Sequence, residues 1–125
     1  MSKLPEKVRA AWDDRDGPII LATVDTHGVP NIIYAGSVGI HGDDRLVVTD
    51  NYFDKTRKNI MSGSTGSILF RDKAGKAYQV KGTLEYHTEG IIFDKMKVWN
   101  PPQHPGHAAL ALCVGTVFSG AEQLL

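Results

Sequence analysis

Hydrophobic and polar residues alternate along this chain in two different rhythms, and the rhythms divide it into elements. Leu4, Val8, Ala11 and Trp12 recur at helical spacing behind Pro5, a residue suited to a first helical position, and predict a helix over 5–15. Asp13, Asp14, Asp16 and Gly17-Pro18 end it. Ile19 to Val24 is a short apolar run of strand length, turned by Asp25-Thr26-His27-Gly28 into a second strand over 31–40. Gly42-Asp43-Asp44 makes a tight turn into Leu46 to Asp50. A basic helix follows over 55–62, with Asp54 in the position of an N-cap.

Strict alternation resumes in the second half. Tyr78, Val80, Gly82 and Leu84 interleave with Gln79, Lys81, Thr83 and Glu85, the mark of a strand with one dry face. It pairs in a hairpin with residues 67–71 around Asp72-Lys73-Ala74-Gly75-Lys76. Thr88 is placed to cap a helix over 89–99, in which Ile92, Met96 and Trp99 share a stripe. Pro101, Pro102 and Pro105 keep 100–106 irregular, and a long apolar strand over 108–118 closes the chain. Strands that arrive as hairpins argue against a parallel doubly wound sheet. The order predicts a mainly β domain, an antiparallel barrel of about six strands with short helices at its ends.

Composition narrows the function classes. The chain has 125 residues, enough for one domain with a real core. Its 14 acidic and 14 basic side chains cancel, which demotes nucleic-acid binding, a class that normally carries a basic excess. Balanced charge is compatible with self-association. Cys113 has no partner for an intrachain disulfide, and its setting Leu-Ala-Leu-Cys-Val suits a small buried hydrophobe better than a reactive thiol. Met1 to Trp12 is mixed and charged, unlike a signal peptide, and no apolar run reaches the ~20 residues that span a bilayer. These features together predict a cytoplasmic protein.

The candidate chemistry lies between Arg45 and Ile60. Leu46 to Val48 forms a buried strand, a polar turn follows, and Asp54-Lys55-Thr56 opens the basic helix. Lys55 offers a point charge to a phosphate and Thr56 a hydroxyl donor. There is neither a Walker glycine run nor a Gly-x-Gly-x-x-Gly, so a phosphate monoester fits better than a nucleoside triphosphate or dinucleotide. The same lysines and arginine also suit the wet face of an ordinary surface helix. Upstream, Tyr34-Ala35-Gly36-Ser37-Val38-Gly39 carries small residues where a core strand carries bulk, which marks either the close approach of another group or a barrel bend. His104 and His107 do not complete a metal site, so no metal is predicted. Ser37, Ser64 and Ser119 lack a nucleophile motif.

From Ile19 to about Met61 the succession of apolar strand, Gly28 turn, small-residue strand, Gly42-Asp43 hairpin, Leu-Val-Val-Thr and Lys55-Thr56 helix start resembles the small FMN-binding split-barrel proteins related to pyridoxamine 5′-phosphate oxidase. The resemblance implies a Greek-key split barrel that binds FMN as an oxidoreductase or electron-transfer protein, or else a flavin or haem carrier of the same fold. It places the phosphate on Lys55 and Thr56. The isoalloxazine falls along Ile33, Tyr34, Ala35, Gly36 and Ser37, with Val48, Thr49, Asp50 and Asn51 beside the ribityl chain and ring. It also implies a homodimer with flavin at the interface, to which Trp99 is the candidate aromatic contributed by the partner. The arginine and histidine set that the vitamin oxidase uses has no counterpart in this sequence, and the Pro101–Gly106 insert is a private feature that bears on access to the ring.

Overall fold

The computed structural model describes residues 2–125. Its elements are α1 (Glu6–Asp13), β1 (Ile19–Val24), β2 (Pro30–Ala35), β3 (Val38–His41), β4 (Arg45–Asp50), α2 (Lys55–Met61), β5 (Gly66–Arg71), β6 (Ala77–His87), α3 (Ile91–Trp99), β7 (Ala108–Ser119) and β8 (Glu122–Gln123). All strand pairs are antiparallel, and the sheet runs β2-β1-β5-β6-β7-β4-β3, with β8 folded back on β7. This is the split-barrel architecture expected from the sequence, with two differences in strand count.

The first difference is the break of the predicted 31–40 strand at Gly36-Ser37. β2 pairs with β1 at one edge of the sheet, whereas β3 pairs with β4 at the other. Two residues carry the chain between those edges, so the sheet must curl until they meet. A single straight strand cannot join both partners. The Thr49 N–H donates to the Ser37 carbonyl at 3.0 Å and ties the crossing to the end of β4. The second difference is β8, a two-residue hairpin return that short-range apolar pattern does not reveal. At α3 the helix starts at Ile91 and not at Glu89, because Gly90 has φ 89°, which is outside the helical region, and no side chain caps the helix.

Burial explains why β7 has such an apolar sequence. Leu110, Leu112 and Val114 face the barrel interior with Ile19, Leu21, Leu46, Val48, Ile68 and Val80. Between them, Ala109 and Ala111 join Val47 under Ile92 and Met96 of α3. The strand is therefore buried on both faces, large side chains inward and small ones toward the helix, so that α3 packs close to the sheet. α1 closes the other end, where the Trp12 ring meets Phe70 edge-on at 5.1 Å and Phe70 stacks on Tyr78 at 5.6 Å. No helix among the described residues is long and apolar enough to cross a membrane.

Curling demands a register shift, and one occurs between Lys81 and Gly82 opposite β7. A Cβ on Gly82 would lie 1.8 Å from the Cys113 carbonyl oxygen. Gly82→Ala is therefore expected to destabilise the fold by roughly 2–4 kcal/mol, a displacement of backbone against backbone with no flexible side chain to yield. Urea unfolding followed by far-UV circular dichroism measures it.

Candidate functional site

Two cavities lie at opposite ends of β2. The larger, about 570 Å³, is lined by the whole stretch Ile33 to Val38 together with Thr49, Asn51, Tyr52, Phe53, Trp99, Pro101 and His104. The smaller, about 290 Å³, is lined by residues that include Pro30, Asn31, Lys55, Lys58, Asn59 and Ser62. β2 thus contributes its first residues to one cavity and its last to the other. From Asn31 to Ala35 the strand covers ~13 Å at ~3.3 Å per residue.

The structure brings Ile33, Tyr34, Ala35, Gly36 and Ser37 to one cavity with Thr49, Asn51 and Trp99. It separates two residues from that group. Val48 is fully buried in the barrel core, and Asp50 is fully buried as well. The physical reason is strand parity: in β4 the side chains of Leu46, Val48 and Asp50 point to one side and those of Val47 and Thr49 to the other, and Asn51, just past the strand, lines the cavity with Thr49. The side chains of Val48 and Asp50, expected with the rest of 48–51 at the site, therefore do not line this cavity.

Asp50 instead anchors the segment. Arg57 donates to both carboxylate oxygens at 2.7 and 2.9 Å, the Phe53 N–H donates at 3.0 Å, and the Tyr86 hydroxyl donates at 2.5 Å. Burial works to raise the Asp50 pKa, but Arg57, Tyr86 and the Phe53 amide together outweigh it and hold the carboxyl below the usual value. The same pair holds the Arg57 pKa above its ordinary range. Arg57 is thus committed to Asp50, which leaves Lys55 and Lys58 as the cations lining the small cavity.

Lys55 is exposed there, and Thr56 is buried beneath it with its Oγ1 accepting from Asn31 Nδ2 at 3.2 Å. Asn31 was not among the expected site residues, and its position at the start of β2 carries no sequence signal that would single it out. Asp54 does not cap α2 with its side chain. It lies 3.6 Å from Lys58 as an exposed pair, which turns that carboxylate along the helix surface.

A polar cluster shapes the far side of the larger cavity. Asn51 and Asn100 exchange reciprocal amide bonds at 3.0 and 3.1 Å, and Asn51 Oδ1 also accepts from the Gly106 N–H at 2.8 Å. Ser37 Oγ donates to Asn100 Oδ1 at 2.6 Å and shares a hydrogen bond of 3.1 Å with Thr49. Asn100 is buried. This cluster fastens the proline-rich segment to the β2–β3 crossing, and it places Pro101 and His104 in the cavity wall. The His104 Nδ1 lies 3.0 Å from the Tyr52 hydroxyl, with the rings edge-on. Asn51 Oδ1 thus already accepts two hydrogen bonds, so only its second amide hydrogen is open to a ligand. Among the described residues no group of three His, Cys, Asp or Glu side chains is placed to hold a metal ion.

Trp99 does not bury itself on the stripe begun by Ile92 and Met96. It is 36% exposed and lines the cavity of its own chain. Pro101 and His104 belong to the insert expected to bear on access, whereas Val38, Tyr52 and Phe53 were not anticipated; Tyr52 and Phe53 lie in a turn without periodicity, and Val38 lies just past the crossing that the fold alone reveals.

Asp50 also makes the acid limb predictable. Its folded pKa is depressed below 3.8, so its stabilising contribution is complete above that value and fades as pH falls through it toward the lower folded pKa. Asp50→Asn is expected to cost roughly 2–4 kcal/mol at pH 7, leaving the guanidinium and phenol without their acceptor. The gap between wild type and variant should narrow below pH ~4, as measured by chemical denaturation across a pH series.

A family model described as pyridoxamine 5′-phosphate oxidase matches residues 4–119. The structure of HupZ from Group A Streptococcus superposes with a TM-score of 0.79 at 26% identity, covering 93% of each chain. An FMN-binding protein from Syntrophomonas wolfei has the same fold, with a TM-score of 0.79 at 24% identity over 94% of this chain and 86% of its own. An uncharacterised protein of Methanocaldococcus jannaschii is 30% identical over 74 residues, 58% of this chain. This chain spans about half the length of that curated relative, the match covering 50% of it.

Proposed function

This chain belongs to the pyridoxamine 5′-phosphate oxidase family, and from that premise we propose that it binds FMN and works as a cytoplasmic homodimeric oxidoreductase or electron-transfer protein. The observation that carries this reading is that one strand, β2, lines two cavities in succession, one with its first residues and the other with its last. One presents Lys55 and Lys58, and the other is large enough for a planar ring and is walled by Ile33, Ala35, Gly36 and Trp99. Their separation along the strand matches a molecule with a phosphate at one end and an aromatic ring at the other.

The residues fit the cofactor. Lys55 supplies charge to the phosphate, and the Thr56 hydroxyl, whose oxygen accepts from Asn31, keeps its own proton available for donation. Small side chains at Ala35 and Gly36 let a flat ring approach the backbone. Bound flavin would supply the electron chemistry, and the protein would set its orientation and access. Tyr52 and His104, with the hydroxyl 3.0 Å from Nδ1, place a phenol and an imidazole in the wall of the larger cavity.

Homodimerisation is supported by an apolar row on the outer face of the sheet. Tyr34 lies opposite Ile20, and Ile20 lies opposite Leu69, so the three stand side by side across β2, β1 and β5. Tyr34 is 75% exposed and Leu69 41%, and Ile32 in the next row is 67% exposed. A second copy covering this row would also bring its residues to the outer side of the β2 strand that serves both cavities. Leu69→Asp is expected to convert a dimer to a monomer in gel filtration with light scattering; an unchanged mass would remove this face from the interface.

The double variant Lys55→Ala, Thr56→Ala tests the phosphate assignment. It should weaken FMN by at least about tenfold and leave riboflavin nearly unaffected, if each lost phosphate contact is worth ~1.5–3 kcal/mol. Fluorescence titration of both ligands reads the difference, and equal losses would reject the assignment. The presence of His104 in the cavity wall favours one competing reading, a haem carrier, since imidazole is a common axial ligand. Visible absorption after separate addition of FMN and haem distinguishes the two.

A further inference from the structure

β3 is an ordinary extended strand with one unusual position. Gly39 pairs with Val47, and Val47 pairs with Ala111, so these three form a row facing α3. The small side chains in this region let the helix approach, and at its last residue the indole of Trp99 reaches β3. A Cβ on Gly39 would lie 2.9 Å from Trp99 Cζ2, 3.0 Å from Cε2 and 3.3 Å from Nε1. The nitrogen-bearing edge of the indole therefore rests directly on the bare Cα of Gly39. Gly39 does not have a left-handed φ, so its backbone does not itself require glycine.

We propose that Gly39 is a positioning residue that determines which planar aromatic ring systems the larger cavity accepts, by setting where Trp99 stands. Trp99 is part of the wall of that cavity, and the stretch from Ile33 to Val38, the end of β2 with the crossing, belongs to the same lining. Any side chain at 39 lifts the indole off β3 and changes the width available to a flat ring. The small cavity that holds Lys55 shares no lining residue with Gly39 or Trp99, so phosphate contacts are left in place. This inference rests on the flavin reading above and deepens it.

The test is a double-mutant cycle of wild type, Gly39→Ala, Trp99→Ala and the combination, each titrated with FMN and with lumichrome, which is the bare ring. Gly39→Ala is expected to weaken both ligands at least about tenfold when Trp99 is present, and to change affinity less than about twofold when Trp99 is already alanine. Acrylamide quenching of tryptophan fluorescence supplies a ligand-free readout. Trp12 is only 2% exposed, so a change in quenching reports on Trp99. Rising accessibility in Gly39→Ala is the expected result. Equal losses in both backgrounds, or unaltered affinity in Gly39→Ala, would overturn the inference while leaving the flavin reading intact. A wild-type protein that binds neither FMN nor lumichrome would overturn both.

Discussion

The two-residue crossing at Gly36-Ser37 is the constraint on which the rest of the molecule depends. It joins strands that belong to opposite edges of one sheet, so the sheet has no choice but to curl until those edges meet. Curling in turn requires the bulge at Lys81/Gly82, where β6 and β7 approach too closely for any Cβ. It also leaves a hollow at the crossing that side chains of β2, β4 and α3 must line. The larger cavity is that hollow.

A crossing this short needs fastening, because its backbone groups cannot join a regular ladder. Ser37 provides the attachment with both its carbonyl and its hydroxyl, to Thr49 and Asn100 respectively. The Asn51–Asn100 amide pair then extends the connection to the proline-rich segment. Buried amides of this kind are favourable only when their hydrogen bonds are made, so the cluster acts cooperatively in holding four segments in one geometry. Asp50 does the same on the other face of β4, with Arg57 and Tyr86 tying α2 and β6 to the strand. Successive residues at the end of β4 and just past it thus serve opposite purposes: Thr49 and Asn51 shape the cavity, whereas Val48 and Asp50 hold the scaffold that positions it.

This division also explains how much of the site could be read from the chain. Lys55, Thr56 and the small-residue stretch 33–37 stand out by type and order; Lys55 lines one cavity, the stretch lines the other, and Thr56 is buried beneath Lys55. The block 48–51 was legible only as a unit, although period-two alternation already separates Val48 and Asp50 from Thr49 and Asn51. Trp99 looked like the third member of a helical stripe, and the stripe is real for Ile92 and Met96. Its end extends past the alanine row of β7 onto Gly39, and no local pattern says that a glycine sixty residues earlier lies beneath that helix.

The sequence by itself determined the hairpins, the helical segments, the antiparallel class and the basic character of the helix that opens at Lys55, because each follows from interactions among residues close along the chain. Only the tertiary structure decided where β2 stops and β3 begins, which side of β4 faces the cavity, and which glycine supports the indole. Those outcomes depend on contacts between residues distant in sequence, and such contacts exist only once the sheet has closed on itself.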